Sequence, residues 1–144
     1  MKTVQQILSK KGNEIFSITP DSTMYDALKL MADKDVGALL VLADDKVLGI
    51  VSERDYARKI ILKGKLSRET SVSEIMTAKV VSVTPTTHVD NCMEIMIEKH
   101  IRHLPVEENG KLVGLISIGD VVKAVIDEEE FVIEQLTSYI KGSH

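Results

Sequence analysis

The sequence has few cysteines and few aromatic residues. Its 144 residues include one Cys, two Phe, three Tyr and no Trp. The single Cys92 cannot form an intramolecular disulfide, and no cluster of Cys and His residues predicts a metal site. Because 44% of the residues are hydrophobic and 28% are charged, we expect a globular protein whose core is built from aliphatic side chains and methionine.

Long apolar runs and an excess of basic residues are also absent. The longest apolar run, residues 37–43, is far below the roughly 20 residues that cross a bilayer, and it predicts a buried strand. No basic segment followed by an apolar one opens the chain, so we expect no signal peptide and a cytoplasmic location. The net charge of −4 disfavours nucleic acid as a partner. We therefore expect neither a membrane nor a nucleic acid among the partners.

The motifs of common catalytic sites are missing as well. The sequence contains no P-loop, no Gly-x-Ser-x-Gly, no His-Glu-x-x-His and no glycine-rich dinucleotide fingerprint after a strand. We expect that the protein is not an enzyme and has neither catalytic residues nor a metal ion.

What the sequence does contain is an internal repeat. At an offset of 65 residues, Ile18–Pro20 matches Val83–Pro85, and Lys46–Ser52 matches Lys111–Ser117. Most other aligned positions exchange one aliphatic residue for another. Near the start of each copy the offset becomes 68, so the first copy carries about three extra residues around positions 11–13.

Each copy predicts the same order of elements, β-α-β-β-α. A short strand leads to Thr-Pro, capping residues precede a helix, a tight turn joins two strands, and a serine begins a second helix. In the first copy the first strand is 15–18, the capping residues are 21–23, the turn is Asp44-Asp45 and the serine is Ser52. In the second copy the same features are 80–83, 86–87, Asn109-Gly110 and Ser117.

This repeat predicts the domain organisation. The first repeat covers residues 1–62, a polar linker 63–71, the second repeat 72–127, and a C-terminal amphipathic helix and tail 128–144. A repeat of about 60 residues is marginal by itself, because its small sheet leaves one face uncovered. We therefore expect an α+β fold in which two repeats pack sheet to sheet with pseudo-twofold symmetry and form two equivalent clefts.

Both repeats place Ser-x-x-Asp at the start of the last helix, as Ser52–Asp55 and Ser117–Asp120. One interpretation is a capping box, which stabilises the helix start. The other is a ligand site, because a helix start offers free N–H groups and the carboxylate could accept hydrogen bonds from a ribose diol. Gly49 and Gly114, which precede these motifs, would allow a close approach of backbone or ligand. The residues alone leave both interpretations open.

The tandem β-α-β-β-α repeat, the Thr-Pro after the first strand and the Gly-h-h-Ser-x-x-Asp pattern, where h is hydrophobic, resemble a pair of CBS domains (a Bateman module) over about residues 1–127. This resemblance implies a stand-alone regulatory module that binds an adenosyl ligand and acts on a partner protein in trans. The ligands that it implies are AMP, ADP, ATP, NAD and S-adenosylmethionine. The alternative is a structural scaffold whose ligand clefts are vestigial.

By position in the family, the resemblance also implies the residues of the two clefts. Cleft A would consist of Ser52, Arg54, Asp55, Arg58, Thr77, Lys79, Val80, Arg102 and His103. Cleft B would consist of Ile15, Phe16, Gly37, Ala38, Ser117 and Asp120. Because the basic residues collect in cleft A, we expect that cleft to bind a phosphorylated nucleotide. We expect cleft B to bind weakly, to take a less charged ligand or to stay empty. Alternatively, the basic residues of cleft A lie on a solvated surface.

The C-terminal segment has the pattern of an amphipathic helix. Acidic residues 127–130 precede it, Lys141 and Gly142 end it, and its apolar stripe consists of Val132, Leu136, Tyr139 and Ile140. The first repeat has no counterpart. We expect this helix to form a homodimer contact, with packing on its own subunit as the alternative.

Overall fold

The computed structural model describes residues 2–12 and 14–140, so the predicted helix end at Lys141 and Gly142 lies outside the described residues. The chain divides into two compact units. The central unit is Ile15–Val80, and the terminal unit combines the chain up to Glu14 with the chain from Val81 onward. The compact units therefore differ from the sequence repeats, because the first residues of each repeat belong to the unit that holds the rest of the other repeat.

The elements follow the predicted order in both repeats. In chain order they are α1 Val4–Lys11, β1 Ser17–Ile18, α2 Met24–Lys34, β2 Ala38–Ala43, β3 Lys46–Ser52, α3 Glu53–Lys59, α4 Val72–Ile75, α5 Val89–Lys99, β4 His103–Glu108, β5 Lys111–Ser117 and α6 Ile118–Ile140. Two short 3₁₀ helices, Ile61–Lys63 and Ser67–Glu69, lie in and around the predicted linker.

The two sheets are small and closely similar. In the central unit β1 pairs with β2 in parallel and β2 pairs with β3 antiparallel. In the terminal unit β4 pairs with β5 antiparallel, and the predicted strand at 80–83 is reduced to one parallel bridge between Val83 and Val106. Both hairpins shift register after Val41 or Val106, which is the effect of one extra residue in the opposite strand.

The predicted hairpin turns are confirmed by their backbone angles. Asp44 and Asp45 have φ values of 52° and 62°, and Asn109 and Gly110 have 53° and 77°. Positive φ at both central residues is the geometry that matches the twist of a two-residue hairpin. Asp, Asn and Gly tolerate this conformation better than other residues do.

The helix caps agree with the sequence in the first repeat and differ in the second. Thr23 begins α2, and its side chain accepts a hydrogen bond from the backbone N–H of Asp26 at 3.2 Å. The residue at the start of α5 is His88, which makes no side-chain cap. Thr87, predicted as a cap, instead accepts a hydrogen bond from the N–H of Thr84 at 3.1 Å and so closes the turn before the helix.

Each unit is completed by the leading helix of the other repeat. In the terminal unit, Val4 of α1 is buried and donates its N–H to Thr87 O at 2.9 Å. In the central unit, Val72 of α4 is buried and donates its N–H to Ser22 O at 2.8 Å. The burial of their apolar faces holds both short helices, because helices of this length are unstable alone.

The cores are aliphatic, as expected from the composition. Leu39, Val41 and Val51 are fully buried in the central unit, and Leu104, Val106 and Ile116 occupy the corresponding positions of the terminal unit. Cys92 is also fully buried, on α5. It therefore belongs to the core of the terminal unit.

The last helix of the second repeat and the C-terminal segment form one continuous helix, α6, instead of two. The acidic residues 127–130 contain neither Gly nor Pro, so nothing in the local chemistry ends the helix there. The buried residues of α6 are Val121 and Ala124, both in its first two turns.

Candidate functional site

The Ser-x-x-Asp motif of the central unit forms a capping box at the junction of β3 and α3. Asp55 Oδ2 accepts hydrogen bonds from the N–H of Ser52 at 2.8 Å and from its hydroxyl at 3.1 Å. In return, the N–H of Asp55 donates to Ser52 Oγ at 3.3 Å. The structural role that the sequence left open is thus confirmed for this motif.

The motif of the terminal unit has the same geometry at the junction of β5 and α6. Asp120 Oδ2 accepts from the N–H of Ser117 at 2.8 Å, and the N–H of Asp120 donates to Ser117 Oγ at 3.2 Å. The Asp120 side chain is 24% exposed and that of Asp55 is 13% exposed. Both carboxylates therefore stay accessible while they cap their helices.

A lysine pairs with each of these carboxylates. Lys59 Nζ lies 3.0 Å from Asp55 Oδ1, one turn along α3, and it also donates to Ile75 O at 2.8 Å. Lys11 Nζ, at the end of α1, lies 2.6 Å from Asp120 Oδ2 and donates to Leu115 O at 2.8 Å.

Neither lysine was predicted as a site residue from the sequence. Position 124, which corresponds to Lys59 in the second repeat, is alanine, so the alignment gave no sign of a shared role. Lys11 falls in the region where the offset between the copies changes, and at an offset of 68 it matches Lys79. That second offset was the signal that could have identified it.

The charges around Asp120 shift the pKa values of two groups. Burial alone would raise the pKa of Asp120, but hydrogen bonds from Lys11 and Ser117 outweigh it and hold the pKa below its ordinary value. Burial lowers the pKa of His103, and the neighbouring Lys11 and Arg102 lower it further against the opposing effect of Asp120. The terminal unit therefore brings three basic side chains and one carboxylate into a single electrostatic cluster.

The residues predicted for cleft A are divided between the units. Its members from Ser52 to Val80 belong to the central unit, whereas Arg102 and His103 belong to the terminal unit. Within the central unit, Thr77 pairs with Ile50 through two backbone hydrogen bonds of 2.9 and 3.0 Å. This pairing brings the segment after α4 against β3, close to the capping box. Lys79 and the two arginines of α3 are exposed.

The residues predicted for cleft B are divided in the same way. Ile15, Phe16, Gly37 and Ala38 belong to the central unit, whereas Ser117 and Asp120 belong to the terminal unit. The assignment of residues from both units to shared clefts therefore stays a prediction.

Inside each unit the first strand of the hairpin, β2 or β4, begins beside the capping serine. Ala38 pairs with Ser52, and the N–H of Glu53 donates to Gly37 O at 3.1 Å. His103 pairs with Ser117 at the corresponding place in the terminal unit. The neighbours of the capping box are thus Gly and Ala in one unit and Arg and His in the other.

A surface pocket of about 300 Å³ opens in the central unit, between the end of α2 and the start of α3. Its lining includes Met31, Asp35, Gly37 and Glu53. Of the predicted cleft residues, it shares Gly37.

The sequence matches the family model for the CBS domain twice, over residues 4–62 and 72–127. The chain belongs to the CBS-domain family. A CBS-domain protein, CBSX3 from Arabidopsis thaliana, named as mitochondrial, is 40% identical over 99% of this chain and 73% of its own length. Both capping boxes described above lie within the two matched ranges.

Solved structures of CBS-domain proteins have the same fold. A protein with CBS domains from Burkholderia ambifaria MC40-6 is 53% identical, with a TM-score of 0.85, and the match covers 88% of this chain and 95% of that one. The protein ATU1752 from Agrobacterium tumefaciens is 42% identical, with a TM-score of 0.82, over 85% and 98% of the two chains.

The described residues include neither a membrane-spanning helix nor a cluster of metal ligands. In the part of the chain that the structure describes, no helix is long and apolar enough to span a membrane. No group of three or more His, Cys, Asp or Glu side chains in residues 2–12 and 14–140 is placed to hold a metal ion.

Proposed function

We propose that this CBS-domain protein is a non-catalytic regulatory sensor that binds an adenosine nucleotide and acts on a partner protein in trans. The proposal rests chiefly on Asp55 and Asp120, which hold the same position and the same hydrogen bonds in two homologous units. The ligand class, AMP, ADP, ATP or NAD, with S-adenosylmethionine as a further candidate, comes from the family.

The two carboxylates suit the ribose of such a ligand. A carboxylate has about four lone-pair sites, and the capping box of Asp55 uses two of them, both on Oδ2. The backbone holds the carboxylate in place, so that little side-chain entropy would be lost on binding. Hydrogen bonds to a charged group each contribute about 1.5–3 kcal/mol, which is enough to select a diol.

Basic side chains near both carboxylates suit the phosphates. Lys11 contacts Asp120 directly, and the charges of Asp120, Lys11 and Arg102 all act on His103. Arg54 and Arg58 extend from the helix that Asp55 caps. Guanidinium groups bind phosphate through two parallel N–H donors. The expectation that cleft B binds weakly, takes a less charged ligand or stays empty did not include Lys11. Because this lysine contacts Asp120, we propose phosphorylated ligands for both sites, with cleft A as the stronger one.

A second candidate function, a scaffold with vestigial sites, is favoured by one observation. Each carboxylate already has a lysine partner, at 3.0 Å for Asp55 and at 2.6 Å for Asp120. A carboxylate whose charge is already paired within the protein would not need a ligand for its stability. Ligand binding decides between the two functions.

We also propose that the protein is a homodimer and that α6 contributes to the contact. Of the predicted apolar stripe, Val132, Leu136 and Ile140 are 50%, 57% and 81% exposed. Such a concentration of apolar side chains on one helix is typical of an interaction surface. A second copy is the proposed occupant, because a twofold contact lets the same stripe pair with itself.

Thermal unfolding in the presence of AMP, ADP, ATP, NAD or S-adenosylmethionine tests the sensor function. A ligand at 100 times its Kd stabilises the protein by about 2.7 kcal/mol, which raises the Tm by several degrees at roughly 2–4 °C per kcal/mol. We expect such a shift with at least one of these compounds. No shift with any of them would favour the scaffold.

Two variants identify the sites. Asp55→Asn and Asp120→Asn keep an oxygen for the capping bond and remove the charge, so each should weaken binding at its own site. Asp45→Asn, in the hairpin turn at φ 62°, makes the same charge change in a turn where Asn is well tolerated. Equal nucleotide affinity in all three variants would exclude both carboxylates from the site.

A further inference from the structure

Lys11 is a residue of the Asp120 site that the CBS motif does not include. It ends α1 and reaches across to the start of α6, where its ammonium contacts a carboxylate oxygen and the main-chain oxygen of Leu115. The Lys11 side chain is 36% exposed, so the ion pair lies at the surface of the terminal unit and not in its core.

The lone pairs of Asp120 Oδ2 are fully used in this arrangement. A carboxylate oxygen offers about two lone-pair sites. The N–H of Ser117 takes one at 2.8 Å and Lys11 Nζ takes the other at 2.6 Å. A ribose diol that binds both carboxylate oxygens must therefore replace Lys11, because the N–H of Ser117 is fixed by the backbone.

Asp55 is different in this respect. Its lysine, Lys59, is on the other oxygen, Oδ1, and comes from the same helix four residues on. That oxygen has a free lone-pair site, since Lys59 is its only partner among the described residues. A diol could bind Asp55 without displacing a lysine.

The displaced ammonium of Lys11 would stay near the ligand. The anchor of α1 is hydrophobic, because Val4, Ile7 and Leu8 are buried in the terminal unit whatever the lysine does. Lysine has a flexible four-carbon stem and three donors that can turn to a new acceptor. Phosphate offers a negatively charged acceptor, whereas an uncharged nucleoside offers only neutral ones.

We propose that Lys11 determines the specificity of the Asp120 site. Its ammonium occupies the carboxylate in the absence of ligand, and a phosphorylated nucleotide displaces this ammonium more readily than an uncharged nucleoside does. This inference rests on the proposed function. It assigns to one residue outside the motif the choice between ligands that share the same adenosine.

The test compares AMP with adenosine by calorimetry. The protein carries Asp55→Asn throughout, so that only the Asp120 site reports. In Lys11→Met we expect adenosine to bind more tightly, because no ammonium competes, and AMP to bind no more tightly. The preference for AMP over adenosine should fall about tenfold or more, since one charge-assisted hydrogen bond is gained or lost.

Two further variants complete the experiment. Lys10→Met removes the same charge from the adjacent residue, whose side chain is 72% exposed and 3.9 Å from Asp127, and should leave the preference unchanged. Lys11→Arg keeps a cation and should restore it, which also controls for damage to α1.

The outcomes separate the two proposals. Two results would overturn the role of Lys11 and leave the sensor function standing. Either Lys11→Met binds adenosine and AMP with an unchanged preference, or it binds adenosine more weakly. If the Asp55→Asn protein binds neither compound, with or without Lys11→Met, the role of Lys11 is overturned. The sensor function falls as well only if the protein with Asp55 intact also fails to bind any of the five adenosyl compounds.

Discussion

Gly49 lies directly against the main chain of Thr77. A Cβ built on Gly49 would stand 2.6 Å from the carbonyl oxygen of Thr77 and 2.9 Å from the sulfur of Met76. The glycine thus lets the segment after α4 pair with β3, just before the capping box of Asp55. In the terminal unit, Gly114 has the corresponding role, and Leu8 of α1 occupies the space above it.

These contacts predict different effects of adding one methyl group. Gly49→Ala should lower the free energy of unfolding by about 1–3 kcal/mol, because the main chain of Thr77 cannot move aside cheaply. Gly114→Ala should cost less, since its nearest neighbour is the end of a leucine side chain, at 2.7 Å. Urea unfolding measures both.

Gly119→Ala is the matched control for this pair. Gly119 is in α6, and its nearest neighbour is the hydroxyl of Ser117 at 3.6 Å, an ordinary contact. We expect a stabilisation of up to about 1 kcal/mol from the better helix propensity of alanine. A cost at Gly49 no larger than at Gly114 would contradict the close approach to Thr77.

The lowered pKa of Asp120 predicts a loss of stability in acid. Its ordinary value is 3.8, and in the folded protein the pKa is lower, so the unfolded state takes up the proton first as the pH falls. The stabilisation is therefore complete above the ordinary value and disappears below it. Asp120→Asn should be less stable than the unmodified protein at pH 6, and the difference should shrink toward pH 3.

His103 contributes a similar effect at higher pH. Its pKa lies below the ordinary 6.5, so the folded state resists protonation and stability falls as the pH drops below that value. His103→Gln should flatten the dependence of the unfolding free energy between pH 7 and 5. The exposed His88, changed to Gln, is the control, and an equal flattening in both variants would argue against a buried origin.

Cys92 should be unreactive in the folded protein. It is fully buried, and burial raises the pKa of its thiol to about 11. Since the thiolate is the reactive form, reaction with a disulfide reagent at pH 8 should be roughly a hundredfold slower than in urea. Equal rates with and without urea would show that α5 opens readily.

The exposed stripe of α6 predicts a change in mass without a loss of fold. Replacing Val132 and Leu136 by Gln together, or deleting residues 128–144, should halve the mass measured by light scattering. The unfolding free energy of the units should change little, because the buried residues of α6 end at Ala124. Glu134→Gln, on the opposite face of the helix, should leave the mass unchanged. A monomeric unmodified protein would contradict the proposed dimer.

The local features could be predicted from the sequence because their causes are local. The hairpin turn at Asn109-Gly110 follows from the φ values that these residues tolerate. The capping boxes follow from a spacing of three residues between serine and aspartate. The prediction that Thr87 caps α5 was wrong, because in the structure its hydroxyl closes the preceding turn. Ser and Thr readily make such competing hydrogen bonds to nearby backbone groups.

The sequence by itself determined the repeat, the order of the elements, the aliphatic core and the carboxylates at both helix starts, since these depend on residue type and spacing. Only the tertiary structure decided that α1 completes the unit of the second repeat and that Lys11 pairs with Asp120 across 109 positions. Both repeats offer similar apolar faces, so the composition of a leading helix does not specify which sheet it covers. That choice depends on packing between segments far apart in the chain, and the lysine contact follows from it.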